Sequence, residues 1–425
     1  HFQRQNKFME KLEVFGATKL KGQVRISGSK NASLPILAAT LLSDKKIILS
    51  NLPKVRDIET MLSLLSSLGS KIKINKSTIE IDNSKISKTI APYELVKTMR
   101  GSILVLGPLL ARFQNAKCSM PGGCNLGLRP IDFHLKALAK LGAKYKIIKG
   151  YVYANAPKGL IGTKIKFSKI SVGATENIII AASLAKGQTI ISNCAIEPEI
   201  KDLVNFLNKM GCKITWSGKR QVKIIGVKKF KEVTYKIMFD RIEAGTMLIA
   251  AAMNEGNLKI TEIKPNIIKT EISILKKIGA KIKILNNKIE IRGSKKIKNI
   301  NLITSPFPGF PTDLQAQMMV LLCKASKKSI IREEIFENRF MHVAELKRMN
   351  ARIEIRGNKA IIEGGSTFQS AELMATDLRA SVSLVLAALC ANGKSTISRI
   401  YHIDRGYENI EKKLNKVGAK IKRIN

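Results

Sequence analysis

Six times along the chain, one short signature closes an amphipathic stretch. The copies read LGSK (68–71), LGAK (141–144), MGCK (210–213), IGAK (278–281), MNAR (349–352) and VGAK (417–420), about 70 residues apart and with no long gap. Repetition at this period makes each copy one supersecondary unit, which buries its apolar face only by packing on its neighbours. The Gly or Asn in the signature suits the left-handed residue that ends a helix. The residues that follow, such as KIKI, KYKI or RIEI, alternate with the period of a strand. Five copies then return through a hairpin, as in KIKILNNKIEI (281–291).

Upstream of each signature lies a run rich in Ala, Ser, Leu and Ile that begins at a polar residue. These runs are KNASLPILAATLL, MRGSILVLGPLLA, GATENIIIAASLA, DRIEAGTMLIAAAM, TDLQAQMMVLLC and TDLRASVSLVLAALC. They are apolar nearly all round, which predicts helices buried on every side. A short strand follows each, for example TIISNCA (189–195) or STISRIY (395–401). The unit is therefore buried helix, strand, amphipathic helix, strand, strand.

The last copy stops at KIKRIN (420–425) and lacks its return strand, whereas LEVFGATKLKGQVRIS (12–27) is strand-like and has no helix of its own. If the N-terminal stretch supplies the missing strand, six units divide into three and three. This predicts one threefold domain at 30–238, carrying the Cys124 loop, and a discontinuous second one at 1–29 plus 239–425. A continuous solenoid would leave both terminal copies uncapped. HFQRQNKF, the first eight residues, lacks the apolar stretch of a signal peptide. It is expected to be an extension ahead of Met9. No apolar run reaches the roughly 18–20 residues that span a bilayer, so no membrane association and a cytoplasmic location are expected.

A net charge of +42 raises the question of nucleic acid. The lysines are spread along the whole chain, and at 5% the aromatics are too few for stacking platforms. No nucleic acid partner is expected, but a basic surface favours anionic substrates. The six cysteines form no CxxC pair and the four histidines are scattered, which argues against a metal site. Cys118, Cys194, Cys212, Cys323 and Cys390 read as core thiols. Cys124 differs, because MPGGCNLGLRP (120–130) sets it in a loop that glycine keeps bare.

Deviations among the copies mark where polar residues collect. Thirteen residues before the signature Gly stand Arg56, Arg129 and Arg405, with Arg339 in nearly the same place. Cations at helix starts oppose the helix dipole, so a bound anion explains them better than stability does. The buried helices likewise begin near Lys30 and Asn31, Arg100, Asp240 and Arg241, Asp313, and Asp377 with Arg379. Burying such groups unpaired is expensive. Thr312 and Gln315 of TDLQ are expected to form a capping box that leaves Asp313 partly free. Asp240 and Glu243 are expected to brace Arg241 or Lys30. Together these features point to a cleft between two threefold domains that takes a multiply anionic ligand.

The segments GSKNASLP (28–35), PGGCNLGLRPIDFH (121–134), SVGATENI (171–178), DRIEAGT (240–246), FPTDLQAQ (310–317), FENRFMHVAEL (336–346), TDLRAS (376–381) and HIDRGYE (402–408) carry a resemblance. In this order, from Met9 to the C-terminus, the chain resembles the UDP-N-acetylglucosamine 1-carboxyvinyltransferases, the enolpyruvyl transferase family that opens peptidoglycan synthesis. The resemblance implies two inside-out α/β barrel domains, each of three βαβαββ repeats, with the active-site cleft between them. It implies transfer of the enolpyruvyl group of phosphoenolpyruvate to the 3′-hydroxyl of UDP-N-acetylglucosamine with release of phosphate. Addition and then elimination proceed through a tetrahedral ketal, with no metal or other cofactor, and a monomer is expected.

Carried over residue by residue, Cys124 matches the loop cysteine proposed as general acid, able to form a covalent adduct with phosphoenolpyruvate and alkylated by fosfomycin, so that acid and nucleophile are both open roles for its thiol. Asp313 matches the candidate base at the sugar hydroxyl. Lys30, Arg129 and Arg405 match the phosphate-binding cations, with Lys30 and Arg405 also counted as catalytic, while Arg339 and Arg379 fit the pyruvyl carboxylate. Asn31, Arg100, Arg129, Pro130, Ile131, Asp132, Phe133, Lys169, Ile170, Ser171, Val172, Gly173 and Ile335 match positions lining the UDP-sugar site. The glycines within 122–127 would let the loop close over bound sugar. His134, His342 and His402 read as packing histidines. A shikimate-phosphate enolpyruvyl transferase and a basic nucleic-acid-binding protein are the rival readings, and the PGGC loop with TDLQAQ favours the UDP-sugar reading.

Overall fold

The computed structural model describes residues 10–120 and 131–425. The described chain divides into two compact units, 28–120 with 131–238, and 10–27 with 239–425. Each has its own hydrophobic core.

Residues 28–238 carry three four-stranded sheets. In strand order, the first sheet is Val233–Lys236, Ile47–Ser50, Thr78–Asp82 and Lys71–Ile74. The second is Ile90–Ala91, Asn115–Ser119, Tyr151–Asn155 and Lys144–Ile148. The third is Lys164–Lys166, Gln188–Ser192, Gln221–Ile225 and Lys213–Gly218. The other unit repeats the pattern. Its fourth sheet is Lys21–Arg25, Asn257–Thr261, Lys288–Arg292 and Lys281–Leu285; the fifth is Asn301–Ile303, Ser329–Arg332, Lys359–Ile362 and Ile353–Arg356. The sixth is Glu372–Met374, Lys394–Ser398, Lys11–Phe15 and Lys420–Ile424. The first two strands of every sheet are parallel and the remaining pairs antiparallel.

The N-terminal strand Lys11–Phe15 lies where the other copies place their return strand, between Lys394–Ser398 and Lys420–Ile424. Two further strands change places. Lys21–Arg25 precedes the first copy's buried helix but pairs with Asn257–Thr261 in the fourth sheet. Val233–Lys236 precedes the fourth copy's buried helix but pairs with Ile47–Ser50 in the first sheet.

Sheets face outward in both units and the apolar helices lie inside, as the run of apolar residues requires. All thirteen residues of helix Arg241–Met253 are buried. Every signature residue has positive φ, from Gly69 (115°) to Asn350 (73°), so the helix ends for the reason anticipated. Two helices break where a single one was expected. The second copy begins as a 3-10 turn, Arg100–Val105, and becomes α-helical at Leu106–Phe113. Pro108 has no N–H to donate to the preceding turn, and the Gly107 N–H goes instead to Asn177 Oδ1 at 2.9 Å. In the sixth copy the amphipathic helix splits into Tyr401–Asp404 and Ile410–Asn415, with Asn409 left-handed between them.

Candidate active site

Within residues 239–425 the starts of the inner helices bring one carboxylate against two guanidinium groups. Asp313 lies in the 3-10 turn Thr312–Leu314 that leads into helix Gln315–Cys323. Its Oδ1 accepts from Arg339 Nη2 at 3.1 Å, and its Oδ2 stands 3.8 Å from Arg379 Nε. Both arginines are buried, whereas the Asp313 side chain retains 25% exposure. The carboxylate is thus the member of the cluster that solvent reaches.

Each arginine is held from behind. Arg339 Nη1 donates to Thr312 Oγ1 at 3.0 Å, and that hydroxyl donates to the buried Glu333 carboxylate. Glu333 also accepts from Thr304 Oγ1 and from the N–H groups of Ile335 and Phe336. The Arg339 guanidinium lies 5.3 Å from the Phe336 ring centroid and that of Arg379 lies 5.1 Å from the Tyr407 centroid. Tyr407 Oη meets Thr246 Oγ1 at 3.0 Å and accepts from Gln317 Nε2 at 3.2 Å. Gln317 Nε2 also donates to the Asp313 carbonyl at 3.0 Å. Thr246 and Gln317 come from two different inner helices, so this hydrogen-bonded knot ties the copies together beneath the carboxylate.

Asp377 caps helix Leu378–Cys390 by accepting from the N–H groups of Arg379 and Ala380, which fixes the backbone of Arg379. Burial opposes charge on Arg379, but Tyr407, Asp240 and Asp313 outweigh it and hold its pKa above the usual arginine value. Arg379 Nη1 and Nη2 are buried and have no hydrogen-bond partner among the described residues. Two unspent donors on a fixed cation await an acceptor, and a carboxylate matches that fork.

The anticipated capping box is absent. Pro311 precedes the 3-10 turn, Thr312 spends its hydroxyl on Glu333 and Arg339, and the Gln315 amide has no partner among the described residues. Asp313 is therefore oriented by arginine and not by a capping box. Asp240 and Glu243, expected to brace Arg241 or Lys30, also serve elsewhere. Asp240 caps Ile242 and Glu243, while Glu243 accepts from Lys413 Nζ and the Ser27 N–H. Its nearest cation lies 170 residues away in the sequence, so no local spacing announced it. Burial, with Asp240 adding to it, pushes the Glu243 carboxyl up to about 7 even though Lys413 opposes the shift.

Residues 28–238 hold a second charged pair. Lys30 opens the helix Lys30–Ala39, whose start is capped by Ser29 Oγ accepting from Ala32 N–H at 3.1 Å. Its Nζ stands 2.7 Å from Asp57 Oδ2, with both side chains buried. Asp57 was not legible in the sequence as part of the site; it follows Arg56 at the start of helix Arg56–Leu68, where an acid reads as an ordinary first-turn residue. Asn31 and Arg100 are partly exposed at helix starts in the same unit.

Ile131, Asp132 and Phe133 run into helix Asp132–Lys140, and Lys169, Ile170 and Ser171 lead into helix Val172–Ala182. His134 joins the two segments. Its Nδ1 meets Asn177 Nδ2 at 3.0 Å, and a Cβ on Gly173 would sit 3.3 Å from its ring. Burial pulls the His134 pKa down to about 4, so the ring is neutral. Burial likewise takes His342 and His402 down to about 4.

Cys124, Arg129 and Pro130, and with them the loop glycines, lie outside the described residues, as does the stretch before Met9. Of the arginines expected at amphipathic helix starts, Arg56 is in place. Arg339 lies in the turn ahead of Val343–Arg348, and Arg405 ends the short helix Tyr401–Asp404, because the split in the sixth copy moves it. Ile335 is partly exposed beside Glu333. Burial pushes the thiols of Cys118 and Cys323 up to about 12 and those of Cys194, Cys212 and Cys390 up to about 11. These five are unreactive at neutral pH.

Residues 14–414 match the family model of EPSP synthase (3-phosphoshikimate 1-carboxyvinyltransferase). A UDP-N-acetylglucosamine 1-carboxyvinyltransferase of Pelagibacter ubique (strain HTCC1062) is 73% identical over 417 residues, covering 98% of this chain and 100% of the relative. The chain belongs to the UDP-N-acetylglucosamine 1-carboxyvinyltransferase family. A member from Coxiella burnetii (strain Dugway 5J108-111) is 49% identical over 98% of this chain and 96% of its own length. The protein is accordingly an enzyme, a transferase of enolpyruvyl groups. Among solved structures, the enolpyruvyl transferase NikO from Streptomyces tendae superposes with a TM-score of 0.89 at 23% identity, covering 98% of this chain and 99% of that one. An EPSP synthase from Acinetobacter baumannii gives 0.76 at 18% identity, covering 98% and 100%. These neighbours share the fold of two threefold α/β units. No helix among the described residues is long and apolar enough to cross a membrane.

Proposed function

We propose that the enzyme joins the enolpyruvyl group of phosphoenolpyruvate to the 3′-hydroxyl of UDP-N-acetylglucosamine, using Asp313 as base and Cys124 as acid. The observation that carries this reading is the Asp313 carboxylate, open to solvent between two buried arginines, one of which keeps two donors unspent. In the addition step the sugar oxygen bonds to C2 of phosphoenolpyruvate, its proton passes to Asp313, and a proton from Cys124 reaches C3. Elimination then breaks the bond from C2 to the phosphate oxygen while a C3 proton returns to the Cys124 thiolate, the double bond re-forms, and the departing phosphate takes up the proton held by Asp313. Arg379 and Arg339 take the pyruvyl carboxylate. Lys30, Arg129 and Arg405 take the phosphate, whose charge peaks as it departs. Asn31, Arg100, residues 129–133 and 169–173, and Ile335 hold the nucleotide sugar. The enzyme works in the cytoplasm as a monomer, and the domains follow the boundaries 30–238 and 1–29 plus 239–425.

Phosphate release with each acceptor tests the reading. Turnover with UDP-N-acetylglucosamine and none with shikimate 3-phosphate is expected, and the reverse pattern defeats it. Fosfomycin should alkylate Cys124 and stop turnover, since the five described thiols are suppressed. An adduct on any of those five, or full activity in Cys124→Ala, removes Cys124 from its role.

A further inference from the structure

Each of the six sheets turns one face away from its core, and these outward faces differ in charge. Carboxylates stand outward on four of them: Glu80 and Asp82 on the first, Glu290 on the fourth, Glu354 on the fifth, Glu13 and Glu372 on the sixth. The second and third sheets carry none on their strands. Between Asp132 and Glu197 the one acidic residue is Glu176, which is buried, while ten lysines occupy the same stretch. The surface built there is basic without local neutralisation.

One backbone hydrogen bond links the segments between these two sheets. The Ile161 N–H donates to the Leu141 carbonyl, next to the end of helix Asp132–Lys140. Lys140 there joins Lys164, Lys166 and Ser192 around a shallow cavity of about 310 Å³ on the third sheet. Apolar side chains project from the same area: Tyr145 is 40% exposed, Ile147 48%, Ile148 41% and Ile161 51%. One exposed isoleucine needs no explanation, but a strand exposed at all five residues, Lys144–Ile148, does.

Lysine beside protruding isoleucine and tyrosine, with no acid among them, is the composition of a surface that rests on anionic lipid. The cations meet headgroups while the apolar tips enter the acyl boundary. A single-stranded nucleic acid fits less well. Lys117 Nζ already covers the rings of Tyr151 and Tyr153, at 4.6 and 4.9 Å, so those faces are closed to bases, and exposed isoleucines give a polynucleotide nothing to bind. We propose that the outward surface of the second and third sheets docks the enzyme peripherally on an anionic phospholipid bilayer.

Co-sedimentation of the full chain with phospholipid vesicles, at about 0.15 M salt where long-range attraction is screened, tests this directly. The enzyme should pellet with vesicles of mixed phosphatidylglycerol and phosphatidylcholine and stay in the supernatant with phosphatidylcholine alone. The triple variant Lys144→Glu, Lys146→Glu, Lys164→Glu should weaken binding at least about a hundredfold, and Ile147→Ser with Ile148→Ser about tenfold. Lys281→Glu, Lys283→Glu and Lys288→Glu on the fourth sheet change net charge equally and should leave binding intact. Matching thermal midpoints show that all variants are folded. Three outcomes overturn the proposal: no wild-type binding to the anionic vesicles, equal loss in the fourth-sheet control, or capture of a single-stranded RNA oligonucleotide while the vesicles remain unbound.

Discussion

The two units share one architecture but charge their inner-helix starts in opposite senses. In residues 28–238 a buried cation, Lys30, meets one buried acid, Asp57, and their charges cancel. In residues 239–425 one acid, Asp313, faces two cations, and Arg379 retains donors that nothing described satisfies. The first joins one cation to one acid, and the second sets one acid between two arginines. The same fold therefore carries a buried lysine in one unit and, in the other, a carboxylate oriented by two arginines.

The sharpest way to break this contrast is at its acid. Asp313→Asn keeps the shape and should retain substrate affinity while kcat falls by about 10²–10⁴-fold, the range of a lost general base. Steady-state phosphate release read beside a direct binding titration checks it; unchanged kcat removes Asp313 as the base. The Lys30–Asp57 pair should answer in stability as well as activity. Asp57→Leu leaves Lys30 buried without this partner and should cost about 3–5 kcal/mol in urea unfolding. Adding Lys30→Met should recover most of that loss and leave the enzyme inactive. A double variant as unstable as the single one shows that the pair is not the unit of energy.

The smallest effect concerns protons. Burial, with Arg339 adding to it and Asp377 opposing it, brings His342 down to about 4 from an ordinary value of 6.5. Between those values the folded state binds fewer protons than the unfolded chain. Stability is then full above pH 6.5 and falls as the pH drops toward 4, by up to about 1.4 kcal/mol per unit for one histidine. His342→Phe should flatten the fall in unfolding free energy across that window by about this slope. An unchanged slope assigns the proton to another group.

Much of the architecture was legible because two periodicities, one helical and one of two residues, recur in every copy. The signature Gly or Asn marked helix ends for a reason that its positive φ bears out. Breaks within copies were harder to read, since Pro108 and Asn409 act locally inside otherwise regular patterns. At the site, Asp313, Arg339 and Arg379 were named from helix starts, and the structure brings these three together. Their supports escaped because the partners are remote in sequence. Glu333 reaches Thr312 across 21 residues, Tyr407 reaches Thr246 across 161, and Lys413 reaches Glu243 across 170. TDLQ met the rule for a capping box and still formed none, because the Arg339 guanidinium, distant in sequence, donates to the Thr312 oxygen that would have accepted a local N–H.

The exchanged strands have a consequence for synthesis. Lys21–Arg25 finds its partner only when Asn257–Thr261 has been made, and Lys11–Phe15 waits for Lys394–Ser398 and Lys420–Ile424. At ordinary translation speeds that delay is on the order of tens of seconds. Residues 28–238, whose last sheet strand is Val233–Lys236, are complete long before. On the ribosome these two strands emerge ahead of their partners, carrying unpaired backbone edges through the wait, and Lys11, Lys21 and Arg25 on those strands are the charges that discourage pairing with another nascent chain.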